Sequence, residues 1–324
     1  MERGRPARPD PRGSDLVRAG RPRSMGRRAC LCAALLLAGC RPGPAPSPTP
    51  SRPAIAVTIF PLADLTRRLV GDAARVVTLV PPGASPHTFE LTPEAMRAVG
   101  QAALVVRVGP GVDEWLEKLW SGRRGPVFEA MAATTLLAGN PEQGHDAHDD
   151  AGHALDKDPH VWLDPVRVRD DLVPQLATRL AAVLPGSAVL ANAERLRAEL
   201  AELDRALAAQ LGALAHRRYV GAHPAWRYFN ARYRLEMVAC VEPVGGTEPS
   251  ARWLREVVAT ARRSGARCVF TEAQLSDKLV RTVAEEAGLR VGVLDPLGGD
   301  GLPGRDSYAT LLRHNAAQFA EGLR

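Results

Sequence analysis

The chain has 324 residues, which at about 150 residues per domain predicts two domains. Its 45% apolar and 24% charged content is that of a soluble globular protein, not of a disordered or polytopic membrane one. The formal charge of +6 is local: residues 1–40 carry nine arginines against three acids, and the remaining thirty-three basic and thirty-three acidic residues cancel. A neutral body excludes nucleic acid as a partner, because phosphate binding needs clustered Lys and Arg.

At the N-terminus, Arg27 and Arg28 precede ten uninterrupted apolar residues, Ala29 to Ala38. A bilayer span needs about 20, so this run predicts a signal-peptide core within a leader over residues 1–39. Met25 is a candidate true start, since Met25-Gly26-Arg27-Arg28 opens a normal short leader. The run ends in Leu37-Ala38-Gly39-Cys40, which resembles the lipobox of bacterial lipoproteins. That resemblance implies cleavage before Cys40 and lipidation of its thiol; the alternative is an uncleaved anchor. Residues 40–53 are rich in Pro and Ser and read as a semi-rigid tether. The protein is thus expected outside the cytoplasm, held to a membrane and facing the periplasm or cell exterior. Cys30 and Cys32 leave with the leader, so the body keeps Cys240 and Cys268, either paired or as thiols. Each sits in a separate apolar strand-like run, which favours two buried thiols.

From Ala54 onward short β-branched runs alternate with helical patterns. In an N-terminal lobe over 54–143, residues 55–59, 75–80 and 103–108 read as strands, with a weaker fourth at 126–128. Helices are expected at Leu62–Val70, Pro93–Gly100 and Val112–Trp120, the second capped by Thr92. A polar stretch at 144–158 follows, then a connecting segment and a long helix within 159–215. In that helix Leu196, Leu200, Leu203, Leu207, Leu211 and Leu214 form a stripe of helical period, and Ser187 is its expected cap. The stripe reads as a spine between two lobes, with a coiled-coil dimer the competing reading; the spine reading goes with a monomer. The C-terminal lobe, 216–324, repeats the rhythm with strands at 218–222, 237–241, 267–271 and 290–294. Helices at Ala225–Tyr233, Ser250–Ser264, Asp277–Ala287 and Ser307–Leu323 accompany them. The expected fold is α/β: two lobes, each a four-stranded parallel sheet covered by helices, joined by one long rigid helix.

Three histidines and one aspartate fall at places where such folds collect ligands. His87 lies in a loop after the second strand, and His160 in DPHVWLDP ahead of the spine. His223 follows the first strand of the second lobe, and Asp295 follows the last. Ligands gather beyond the carboxyl ends of strands in open α/β sheets, so facing lobe edges can bring these four together. Three imidazoles and a carboxylate suit tetrahedral zinc. Taken singly, each histidine is equally a hydrogen-bonded structural residue. The flanking prolines Pro86, Pro159 and Pro224 restrict the backbone beside each ring and lower the ordering cost of a rigid site.

The motifs SPHTFELTP, DPHVWLDP, GAHPAWRYF, FTEAQ and VLDPLGG together resemble the metal-receptor lipoproteins of bacterial zinc and manganese ABC importers. These are the helical-spine class of solute-binding proteins, and the resemblance runs from Ala54 to Leu323. It implies a metal between two lobes, with His87, His160 and His223 as ligands, Asp295 as the fourth or water in its place, and no catalytic residues. Glu272 is either an acceptor behind a ligand or a structural carboxylate. Manganese receptors of this kind typically place Glu where this chain has His223, so the resemblance implies Zn2+, with Mn2+ the alternative. It further implies delivery to an ABC importer permease and its ATPase. The 144–158 stretch, with His145, His148 and His153 among acids, matches the His-rich loop of zinc receptors and reads as an auxiliary capture loop or a solvated one. His216 and His314 read as structural or surface residues. An exported zinc hydrolase is the rival from another class, but HExxH and GxSxG are both missing. Surface adhesion finds little support in an aromatic content of 5%.

Overall fold

Alternation along each strand sorts the apolar residues onto two faces, and the fold follows from where those faces go. The computed structural model describes residues 52–122, 125–138, 157–242 and 249–324. The predicted leader, Cys40 with nearly all of its tether, and His145, His148 and His153 lie outside them. In chain order the first lobe runs β1 (Ala54–Val57), α1 (Phe60–Val70), β2 (Arg75–Thr78), α2 (Pro93–Gln101), β3 (Leu104–Arg107) and β4 (Val127–Glu129). A connecting run, α3 (Pro165–Arg167) and α4 (Val173–Val183), leads to the spine α5 (Val189–Gly212). The second lobe runs β5 (Arg218–Gly221), α6 (Arg227–Tyr233), β6 (Glu236–Cys240), α7 (Ala251–Ser264), β7 (Cys268–Glu272), α8 (Lys278–Ala287), β8 (Arg290–Leu294) and α9 (Tyr308–Gly322).

Both sheets are four-stranded and wholly parallel, in the orders β2-β1-β3-β4 and β6-β5-β7-β8, so the expected fold class holds. Ile55 and Val57 of β1 and Tyr219 and Phe270 of the second sheet belong to one continuous apolar core. Their neighbours point outward instead: Ala56 and Val105 pack with Ala95 and Val99 of α2. Val220 and Val269 pack with Val257 of α7 and Val280 of α8. The shared core is dense with rings. Phe319 of α9 lies 5.0–5.6 Å, centroid to centroid, from Tyr219, Trp226, Phe229 and Phe270. Gly292 and Gly322 make room for Phe270: a Cβ on either would come within 2.5 Å of that ring.

The spine joins the lobes as the leucine stripe requires. Leu196, Leu200, Leu203, Leu207 and Leu211 are fully buried, and α5 packs on α1 of the first lobe and on α6 and α9 of the second. With 24 residues it extends about 36 Å. Its apolar face is consumed within the chain, which leaves no seam for a coiled coil. One charge sits in it: buried Asp204 accepts from Arg232 and from the Tyr233 hydroxyl (3.1 Å).

Local chemistry decides where elements start. Thr92 caps α2 as expected, accepting from the Ala95 N–H at 3.2 Å. Ser187 does not cap the spine; its hydroxyl donates back to the Leu184 carbonyl, and α5 begins two residues later without a side-chain cap. The segment expected as an α-helix at Val112–Trp120 is a 3-10 helix over Glu114–Gly122. Residues 165–183, expected only as a connector, are helical, with α3 and α4 joined through a π-turn at Val168–Leu172 and α3 capped by Asp164. Lys157 bridges Ala138 and Asp158 is buried, so both belong to the folded body and not to the polar stretch before them. Cys240 and Cys268 are buried free thiols on β6 and β7, with β5 between them.

Candidate metal centre

His87 stands in a 3-10 turn, Pro86–Thr88, beyond the end of β2. The turn is pinned by Trp115, whose Nε1 donates to the Pro86 carbonyl at 3.0 Å while its ring meets Phe89 edge-on. Beyond β3 the chain bends at Gly109 (φ 134°) and Gly111 (φ 89°), conformations that side chains disfavour. Buried Asp113 closes this bend by accepting from the Val108 and Gly109 N–H groups at 2.6 and 3.0 Å. The bend thereby presents the Gly111 carbonyl to His87 Nδ1 at 2.7 Å.

His160 is fixed from two sides by one carboxylate. Asp158 Oδ1 accepts from both the main-chain N–H and Nδ1 of His160, each at 2.9 Å, an Asx-turn built into the DPH sequence. His223 is extended (φ −141°, ψ 156°), between β5 and the 3-10 turn Pro224–Trp226. Its Nδ1 donates to Glu272 Oε2 at 3.0 Å, and Trp226 Nε1 holds the other carboxylate oxygen at 2.9 Å. Glu272 ends β7, so the sheet itself sets where this carboxylate stands.

The three rings converge. Their centroids are 5.0, 5.3 and 5.7 Å apart, and one nitrogen from each lies within 4.8 Å of the others. Every Nδ1 meets an oxygen that accepts, so in its neutral form each ring carries its proton on Nδ1 and leaves the Nε2 lone pair free. Those lone pairs face a cavity of about 20 Å3 lined also by Trp162, Gln274 and Leu297. His160 Nε2 is buried there without a hydrogen-bond partner. Three such nitrogens, each backed by an oxygen through its other edge, are the donor pattern of a histidine metal site. Tetrahedral zinc spaces its donors about 3.3 Å apart, against the 4.8 Å within which these nitrogens lie.

The two rings at His87 and His223 differ in their affinity for a proton. Burial, with the other two rings adding to it, lowers the His87 pKa to about 3. Burial also works to lower that of His223, but the Glu272 carboxylate outweighs it and the net shift is upward.

Asp295, expected as the fourth ligand, is not part of the cluster: among the described residues the group able to share an ion is His87, His160 and His223. Its buried carboxylate is occupied. Oδ1 accepts from the Leu297 and Gly298 N–H groups and from Gln274 Nε2, at 2.8–3.0 Å, and Oδ2 from Arg305 at 2.8 Å. In this arrangement Asp295 organises the loop after β8. Two oxygens behind the ligands escaped notice in the sequence. Asp158 carried a signal, its position two residues before His160; the Gly111 carbonyl carried none, since main-chain atoms leave no mark on residue type.

Residues 55–322 match the family described as the periplasmic component A of the zinc-uptake complex, ZnuA. The chain belongs to the ZnuA family. It is 31% identical over 305 residues to the high-affinity zinc uptake protein ZnuA of Paracoccus denitrificans, covering 84% of this chain and 92% of that one. It is 30% identical over 249 residues to the zinc-binding lipoprotein AdcA of Streptococcus pneumoniae, covering 75% of this chain but 50% of AdcA. The chain thus spans about half the length of the AdcA relatives. Among solved structures, a zinc-bound ZnuA deletion mutant superposes with a TM-score of 0.72 at 30% identity, covering 84% of this chain and 98% of that one. The laminin-binding protein Lmb of Streptococcus agalactiae, described as both adhesin and metal transporter, shares the fold at 23% identity and a TM-score of 0.70 over 84% of this chain and 99% of its own. In this ZnuA-family member no described helix is long and apolar enough to cross a membrane.

Proposed function

We propose that this ZnuA-family protein is an extracytoplasmic receptor that binds Zn2+ through His87, His160 and His223 and delivers it to an ABC importer permease and its ATPase. The observation that carries the reading is the common arrangement: three rings, two buried and one half-buried, with every Nδ1 committed to an oxygen and every Nε2 turned to one small cavity. Three imidazoles without a carboxylate among them favour zinc over manganese, which prefers oxygen donors. The space between the rings is small, about 20 Å3, which supports an ion receptor over a hydrolase. The reading includes a leader over 1–39, lipidation at Cys40, a tether to residue 53, lobes divided by the spine, and a monomeric chain. It also gives His145, His148 and His153 the role of an auxiliary loop that captures metal weakly.

The test is metal content. Cys40→Ser protein without its leader is stripped and offered equimolar Zn2+ and Mn2+. One zinc per chain is expected, lost in His223→Ala and retained when 144–156 is deleted. The deletion stops short of Asp158, whose carboxylate holds His160. Preferential retention of manganese, or no stoichiometric metal, overturns the assignment.

A further inference from the structure

Gln274 lies two residues beyond the end of β7 and lines the cavity with the three histidines. Its Nε2 donates to Asp295 Oδ1 at 2.8 Å. A carboxylate only accepts, so this bond sets the amide: nitrogen toward Asp295, oxygen away from it. Asp295 cannot shift to suit another arrangement. It is fully buried, held by Arg305 and two main-chain N–H groups, and its own main chain is bracketed by the Asn315 side chain at 2.8 and 2.7 Å. The amide oxygen that remains, Gln274 Oε1, is buried and has no hydrogen-bond partner. Leaving a buried acceptor unpaired is unfavourable, so its retention at a cavity wall calls for something that it meets there. Of the buried side-chain atoms left without a partner, His160 Nε2 and Gln274 Oε1 belong to residues of this wall.

Space narrows what that is. One water-sized body needs about 10–15 Å3, and the cavity holds about 20 Å3. Gln274 Oε1, fixed in the wall, is on hand for an ion seated against the three rings, whereas a water has first to enter and be ordered there. We propose that Gln274 Oε1 is that donor, completing a shell of three imidazole nitrogens and one amide oxygen; the proposal rests on the reading of this cavity as the zinc site. Every donor is then neutral, and the balancing charge stands one hydrogen bond further out. Asp158 lies behind His160, Glu272 behind His223, and Asp295 behind Gln274. Asp295 acts on the metal through Gln274, which accounts for a buried carboxylate beside the site that is not itself a ligand.

The experiment compares wild type, Gln274→Leu and His223→Ala for zinc affinity by chelator competition. It also compares the visible spectrum of Co2+-loaded protein, whose bands report the donor set directly. Gln274→Leu is expected to bind zinc about 10- to 100-fold more weakly, with shifted Co2+ bands and no loss in the melting temperature of metal-free protein. Unchanged Co2+ bands in Gln274→Leu, at any affinity, overturn the donor assignment, as does zinc affinity within twofold of wild type. Gln274→Ser serves the same comparison if the leucine variant does not fold. Wild-type protein that takes up neither Zn2+ nor Co2+ refutes the zinc site itself, a result distinct from failure of the Gln274 assignment.

Discussion

The two lobes offer the same atom, a histidine Nε2, from unlike settings. His87 of the first lobe rests on a main-chain carbonyl, in a loop held by Trp115 and Asp113, and burial keeps it neutral. His223 of the second lobe rests on a buried carboxylate at the end of a strand, beside rings that continue into the core. Neutral support fixes orientation and nothing more. Carboxylate support also raises the basicity of the ring and competes for a proton. One half of the site is therefore set by loop geometry, and the other by charge on a packed platform.

The platform is where the contrast can be broken most severely. Phe270→Ala removes the ring that packs between Tyr219, Phe319 and the two close glycines. A loss of about 3–5 kcal/mol is expected, read as a lower melting temperature. A change under about 1 kcal/mol contradicts the packing described. Next in size is the carboxylate itself. Glu272→Gln keeps the shape but takes charge from behind His223, and zinc affinity is expected to fall about 10- to 100-fold by chelator competition. Asp158→Asn should act in the same direction through His160, and neither variant should disturb His87.

A pH titration separates the two supports by sign. An unfolded histidine titrates near about 6.5, and His87 is held to about 3 in the fold. Its contribution to the stability of metal-free protein is therefore complete above about pH 6.5 and is lost as pH falls toward 3. His223 is raised instead, so its contribution is complete below about pH 6.5 and is lost as pH rises through the folded value. His87→Ala is expected to flatten the acid-side fall of the melting temperature in metal-free protein; an equally steep fall argues against a buried neutral ring. The smallest effect belongs to the surface contact between lobes. Arg67 of α1 pairs with Asp300 of the loop after β8 at 2.8 Å, both groups partly in solvent. Arg67→Ala should cost no more than about 1 kcal/mol, and less at high salt.

Much of this was legible in residue order, and the failures have physical causes. Eight strands and their helices showed as alternating apolar runs, because a buried parallel strand needs apolar residues on both faces. The helical run at 165–183 was read only as a connecting segment; in the fold Asp164 and Pro165 start a helix, and Pro174 stands at the opening of α4 after the π-turn. Ser187 looked like a cap but turned its hydroxyl back to Leu184, an option that serine offers at nearly every turn. At the site, the histidines were marked by type and by flanking proline. Asp295 was marked just as clearly, but residue type does not say what else competes for a carboxylate, and here Arg305, Gln274 and two main-chain N–H groups do.

Sequence alone determined what is periodic or chemically singular: two parallel α/β lobes, a leucine-striped spine, and three histidines of the right kind. Those follow from short-range rules, strand alternation, helical spacing and the donor chemistry of imidazole. Tertiary structure decided which oxygen backs each ring, that Asp295 is spent on Arg305 and its own loop, and that Gln274 has an oxygen to spare. These outcomes depend on competition among groups that are distant in the chain and adjacent in space, and only the packed fold brings the competitors together.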